Sequence, residues 1–181
     1  MESKLYAITL GLKGQHYNKI LKSWSILDKK LKINYLSSRS PKPHITVISG
    51  YSKNEIQIIK KVQRVKIKKF SIRSIGLGLL LMNEPLVYVR WEMNDKIKKL
   101  HQKIVKNFNK KLFKQTKFTK DPYWLPKTTI AYKDFKLKEV KTVYKYLKNL
   151  SKSLTVTINK IELMTVSSQN GEKIIFSRDL Y

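Results

Sequence analysis

Two short stretches, Pro43-His44-Ile45-Thr46-Val47 and Pro126-Lys127-Thr128-Thr129-Ile130, share one pattern: proline, a basic residue, a spacer, threonine, an aliphatic residue. Side chains of a β-strand alternate between its two faces, so positions i and i+2 project together. If both stretches are strands, His44 and Thr46 share a face, as do Lys127 and Thr129. Ile45, Val47, Thr128 and Ile130 then point the other way, into a core. Each stretch offers one cationic or proton-carrying group and one hydroxyl. Brought together, the two make a small site suited to a phosphate.

The surroundings of the two stretches repeat as well. Lys4 to Leu12 reads as a strand ended by Gly11 and Gly14, and apolar spacing predicts a helix over His16 to Leu31. A loop over 32–43 leads to a motif strand His44 to Tyr51, closed by Gly50. A helix over Lys53 to Val65, with Ile56, Ile59 and Val62 inward, precedes an extended segment Ile67 to Met82. After Asn83-Glu84-Pro85 the order starts again. A strand Leu86 to Trp91, a helix Asp95 to Leu112 and a polar loop over 113–126 lead to the motif strand Thr128 to Tyr132. A helix over Leu137 to Leu150 follows, and then a hairpin of Leu154 to Val166 and Lys173 to Leu180 around Gln169-Asn170-Gly171. Leu5 corresponds to Leu86 and His44 to Lys127, an offset of about 80 residues each time, which is the mark of an internal duplication. The expected fold is α+β: one bilobal domain over 1–181, with repeats of approximately 1–82 and 83–181. The pseudo-symmetric lobes of antiparallel sheet carry outer helices and enclose a central cleft.

Charge narrows the partners. Lys+Arg number 39 against 12 Asp+Glu, a formal net charge of +27 spread along the whole chain. Such a field favours polyanions: RNA, DNA or phosphorylated small molecules. With no cysteine, the chain has no disulfide scaffold, thiol nucleophile or thiolate metal ligand. The apolar run Leu77 to Met82 is far too short to cross a bilayer, and Met1-Glu2-Ser3-Lys4 leads straight into a strand. The expectation is a cytoplasmic monomer with no membrane association.

The paired motifs and repeated topology resemble the two-histidine (2H) phosphoesterase superfamily, which includes 2′-5′ RNA ligase-like proteins and cyclic nucleotide phosphodiesterases. Its mark is a pair of His-x-Thr/Ser motifs on strands, often preceded by proline. Pro43-His44-Ile45-Thr46 matches the first motif, and Leu125-Pro126-Lys127-Thr128-Thr129-Ile130-Ala131-Tyr132 matches the second except that Lys127 stands at its histidine. The Ile161-Glu162-Leu163 strand and the Gly171 hairpin also resemble the family's C-terminal end. The resemblance implies metal-independent phosphodiester chemistry with no cofactor, in which one histidine acts as base, the other as acid, and the hydroxyls hold non-bridging oxygens. His44, Thr46, Lys127 and Thr129 are the implied catalytic residues. An ordinary lysine, with a pKa near ~10.4, is a poor base at neutral pH. Lys127 therefore suits the cationic or acid role, and surrounding positive charge is expected to lower its pKa.

Tyr51, Trp124 and Tyr132 flank the motifs as candidate base-stacking residues, and Arg178 is a candidate phosphate contact; His16 and His101 read as structural or exposed. Two functions follow. One is a phosphodiesterase acting on 2′,3′-cyclic phosphate, 2′-5′-linked or small cyclic nucleotide substrates. The other is a catalytically degenerate protein of the same fold that binds RNA or a nucleotide. A basic structural partner of ribonucleoprotein, its cleft idle, is a weaker third.

Overall fold

The computed structural model describes residues 2–81, 84–108 and 111–181. In chain order the elements are β1 (Lys4–Lys13), α1 (Gln15–Leu31), α2 (Tyr35–Arg39), β2 (His44–Ser52), α3 (Glu55–Gln63), β3 (Phe70–Leu80), β4 (Leu86–Trp91) and α4 (Asp95–Asn107). They continue as β5 (Lys114–Gln115), β6 (Lys127–Tyr132), α5 (Val140–Tyr146), α6 (Lys148–Ser151), β7 (Thr155–Ser167) and β8 (Gly171–Asp179). Every pairing among these strands is antiparallel, and the path runs β5-β2-β1-β7-β3-β4-β6 with β8 added on β7.

That order interleaves the two halves of the sequence. The last strand of the first half, β3, pairs with β4, the first strand of the second half; β7 of the second half pairs in turn with β1. The two wings meet where Phe70–Arg73 of β3 pairs with Thr155–Ile158 of β7. Helices are exchanged in the same way. α1 packs on β6, α5 and α6, whereas α4 packs on β2. Each lobe is therefore built from both halves of the chain, and its core joins residues distant in sequence, such as Ile20, Trp24 and Ile130.

Local chemistry sets the helix starts. Asn54 and Asn94 accept hydrogen bonds from the backbone N–H groups of Gln57 and Ile97, and Glu55 and Asp95 follow in the first turn, where a carboxylate favours the positive helix end.

The structure corrects several expectations. The loop over 32–43 contains the short helix α2. Gly50 does not close β2 but lies inside it, paired to both β1 and β5, where a Cβ would stand 2.6 Å from the Phe113 ring. On α3 the buried stripe is Ile58 and Val62, an i,i+4 pair, and Ile56 is 67% exposed. The helix expected over Leu137 to Leu150 divides into a 3₁₀ turn, α5 and α6, because the Leu147 N–H is shared between the carbonyls of Val143 and Tyr144 and the next turn tightens. α4 ends at Asn107; Asn109 and Lys110, within the helix expected there, lie outside the described residues. So do Met1 and the expected repeat boundary at Met82 and Asn83. Among the described residues no helix is long and apolar enough to cross a membrane.

Candidate active site

The strand alternation expected from the two motifs is present in both. Ile45, Val47, Thr128 and Ile130 are buried at 0–1% exposure, and the Thr128 hydroxyl accepts the indole N–H of Trp91 at 2.9 Å in the core. His44, Thr46, Lys127 and Thr129 are half-buried on the opposite faces. All four line one cavity of about 240 Å³ between the lobes.

Within it, the imidazole of His44 is oriented. Its Nδ1 lies 3.0 Å from the carbonyl oxygen of Lys42. A carbonyl only accepts, so Nδ1 carries the proton, and the neutral ring keeps its lone pair on Nε2. Lys127 faces it from β6 with its pKa lowered by burial, which disfavours the charged form. The expected lowering is present, but desolvation rather than neighbouring positive charge is its cause. Among the described residues, the Lys127 ammonium and the hydroxyls of Thr46 and Thr129 have no protein hydrogen-bond partner. They are free to meet an oxyanion.

Two tryptophans hold the motif strands in place. Trp24 of α1 donates its indole N–H to the carbonyl of Thr129 at 3.3 Å, and Trp124 donates to the carbonyl of Thr46 at 3.0 Å. Each indole comes from the half of the sequence opposite to the strand it holds, a consequence of the exchanged helices and loops. Trp124 is 5% exposed and stacks on His101, ring centroids 3.9 Å apart and planes at 6°. Neither bond is readable from local sequence, although both tryptophans stand at conspicuous positions.

α2 forms one wall of the cavity. The N–H groups of Asn34 and Tyr35 both donate to Asp134 at 2.5 Å; at the other end Arg39 donates to the carbonyl of Ser168 at 2.7 Å, and Ser40 bonds Glu172. Tyr132 lies on the wall, edge-to-face with Tyr35 at 5.8 Å, and burial raises its hydroxyl pKa. Tyr35 and Arg39 line the cavity too, but no motif marks them in the sequence.

Three candidates are not brought to the cavity. Tyr51 is 47% exposed in a separate groove at the far end of β2. Trp124 lies in the core beneath the site, its N–H engaged. Arg178 donates to the carbonyl of Val65, far from the motif strands in β8. Of the other histidines, His16 contacts Thr155, and His101 is 1% exposed with Nε2 donating to the Thr119 carbonyl at 2.9 Å. Among the described residues no group of three or more His, Asp or Glu side chains is placed to hold a metal ion.

Comparison with known proteins agrees with this fold. The family model described as the 2′-5′ RNA ligase superfamily matches residues 20–170. Among solved structures the chain is similar to TT0787 of Thermus thermophilus, with a TM-score of 0.62, 9% identity and 97% of each chain covered. It is also similar to Escherichia coli LigT, solved with 3′-AMP (TM-score 0.59, 11% identity, 99% of each chain covered) and with NADP⁺ (TM-score 0.57, 12% identity, 99% of each). At these identities the likeness is one of fold. No curated protein matches the chain in sequence.

Proposed function

The chain belongs to the 2′-5′ RNA ligase superfamily, and from that premise we propose that it is a metal-independent phosphodiesterase acting on RNA-derived phosphodiesters: a 2′,3′-cyclic phosphate, a 2′-5′ linkage or a small cyclic nucleotide. The single observation that carries this reading is that His44, Thr46, Lys127 and Thr129 line one cavity. LigT, solved with 3′-AMP and with phosphate, supports the choice of a nucleotide phosphate as occupant. A volume of about 240 Å³ lies below the usual ~300–1,000 Å³ of small-molecule pockets and suits one nucleotide rather than several.

In this reading the Thr46 and Thr129 hydroxyls donate to the non-bridging oxygens. Nε2 of His44 takes the proton of an attacking water as its oxygen bonds phosphorus. The bond from phosphorus to one ribose oxygen breaks, and the Lys127 ammonium donates a proton to that oxygen, leaving a phosphate monoester and a free ribose hydroxyl. The lowered pKa of Lys127 makes it a better acid than an ordinary lysine. The test is turnover of 2′,3′-cyclic AMP and 2′-5′ oligoadenylate in EDTA. His44→Ala is expected to lower it by ~10²–10⁴, the usual effect of losing one proton-transfer group. Turnover unchanged in that variant would remove the assigned mechanism.

Lys127 also favours a second reading, in which the cleft captures RNA or a nucleotide without turnover. Strongly salt-dependent RNA binding with no cleavage, together with hydrolysis switched on by Lys127→His, would favour it.

A further inference from the structure

We infer that Glu162, acting through Lys42, is a positioning residue for the imidazole of His44; the inference rests on the base role proposed for His44. Glu162 lies in β7, its side chain 1% exposed. One carboxylate oxygen accepts the Lys42 ammonium at 2.7 Å and the Ser177 hydroxyl at 3.1 Å. Lys42 thus spans two anchors. Its side chain is tied to the buried carboxylate, and its backbone carbonyl receives Nδ1–H of His44. Pro43 stands between them and restricts Lys42 to extended backbone, so little freedom remains between the ammonium's anchor and the carbonyl's direction.

The other lobe lacks the device. On the first side Thr46 pairs with Thr9, and Thr9 with Glu162. On the second, Thr129 pairs with Tyr88, and Tyr88 with Gly78, so glycine holds the place of the acid, and a Cβ there would run into the Tyr88 ring. Leu125 likewise stands where Lys42 would. This asymmetry follows the chemistry of the two motif residues. An imidazole works as a base only with the correct nitrogen protonated, so its ring must be held. An ammonium is a compact charge with three rotatable donors and needs no such bracket.

A buried carboxylate–ammonium pair is a weak device for stability alone, since apolar replacements often serve as well. The remaining carboxylate oxygen, buried without a partner among the described residues, and the equally unpartnered Thr9 hydroxyl beside it argue that this site is not arranged for maximal pairing. What the arrangement secures is direction.

The experiment uses the full chain, free of substrate: ¹⁵N-edited NMR of the His44 ring at a pH where it is neutral, for wild type, Glu162→Gln and Lys42→Met. The Nδ1–H tautomer is expected to dominate in wild type and to give way to a mixture in both variants. With 2′,3′-cyclic AMP, kcat should fall by up to about 10²-fold at little-changed KM, the scale of a misplaced catalytic group. The double variant should fall no further than either single one. An unchanged tautomer ratio in folded variants, or losses that add in the double variant, would overturn the inference. If Glu162→Gln does not fold, Lys42→Met, at a side chain 27% exposed, decides it. Absence of wild-type turnover would count against the phosphodiesterase reading, while the tautomer ratio still decides this one.

Discussion

The indole of Trp124 and the backbone carbonyl of Thr46 lie 3.0 Å apart, joining the loop before the second motif to the strand that carries the first. The same contact recurs between Trp24 and Thr129 at 3.3 Å. Both carbonyls belong to the residues whose hydroxyls line the cavity, so the indoles set where those hydroxyls stand.

Trp124→Phe removes the donor and keeps an aromatic ring against His101. Leaving a buried carbonyl unpaired costs about 1–3 kcal/mol. At ~2–4 °C per kcal/mol for a chain of this size, the expected Tm loss is several degrees by calorimetry. Phosphate affinity should fall with it, since Thr46 loses its support; an unchanged phosphate Kd would separate the indole from the site.

Burial lowers the pKa of Lys127, so the folded protein holds this proton less tightly than the unfolded chain. Its contribution to stability is present above the unfolded value of ~10.4 and is lost as pH falls through the lowered folded value. At pH 7 the charged lysine therefore costs stability. Lys127→Met should raise Tm in phosphate-free buffer, whereas added phosphate should raise Tm of the wild type and not of the variant. As a general acid, Lys127 should make activity fall as pH rises through a value below the ordinary lysine range.

His101 has its pKa lowered by burial, against the opposing effects of the Thr119 carbonyl and the Asp121 carboxylate. The sign is the same: its contribution is full above ~6.5 and is lost as pH falls through the folded value. Tm should drop between pH 8 and pH 5, and His101→Gln should show a smaller drop from a lower starting point. Equal slopes in the two proteins would exclude His101 as the source.

Gly171 has φ +71°, and a Cβ there would run into the carbonyl oxygen of Arg39. Gly171→Ala should cost ~1–3 kcal/mol for the left-handed backbone alone, and more for the clash. Because Arg39 ends α2, the variant should also push that wall away from the hairpin. A KM rise larger than the change in kcat is the kinetic mark of a displaced wall.

Much of this was legible in the chain. The antiparallel α+β class and the faces of the motif strands follow from patterns within a few residues. Tyr51 misleads because proximity to His44 in sequence becomes distance along an extended strand. Trp124 misleads because an aromatic residue beside a motif looks the same whether it faces a ligand or a carbonyl. Ile56 misleads because isoleucines at 56, 58 and 59 allow more than one inner stripe.

By itself the sequence determined which side chains of each motif strand share a face, because the two-residue period of a strand is local stereochemistry. It also determined the excess of positive charge and the absence of thiol chemistry, which are matters of composition. Tertiary structure alone decided the exchange of β3 and β7 between lobes, the burial that lowers the pKa of Lys127 and the bracket behind His44. Those depend on partners far along the chain, 105 residues from Trp24 to Thr129 and 120 from Lys42 to Glu162, and no short-range pattern encodes which distant group fills a given space.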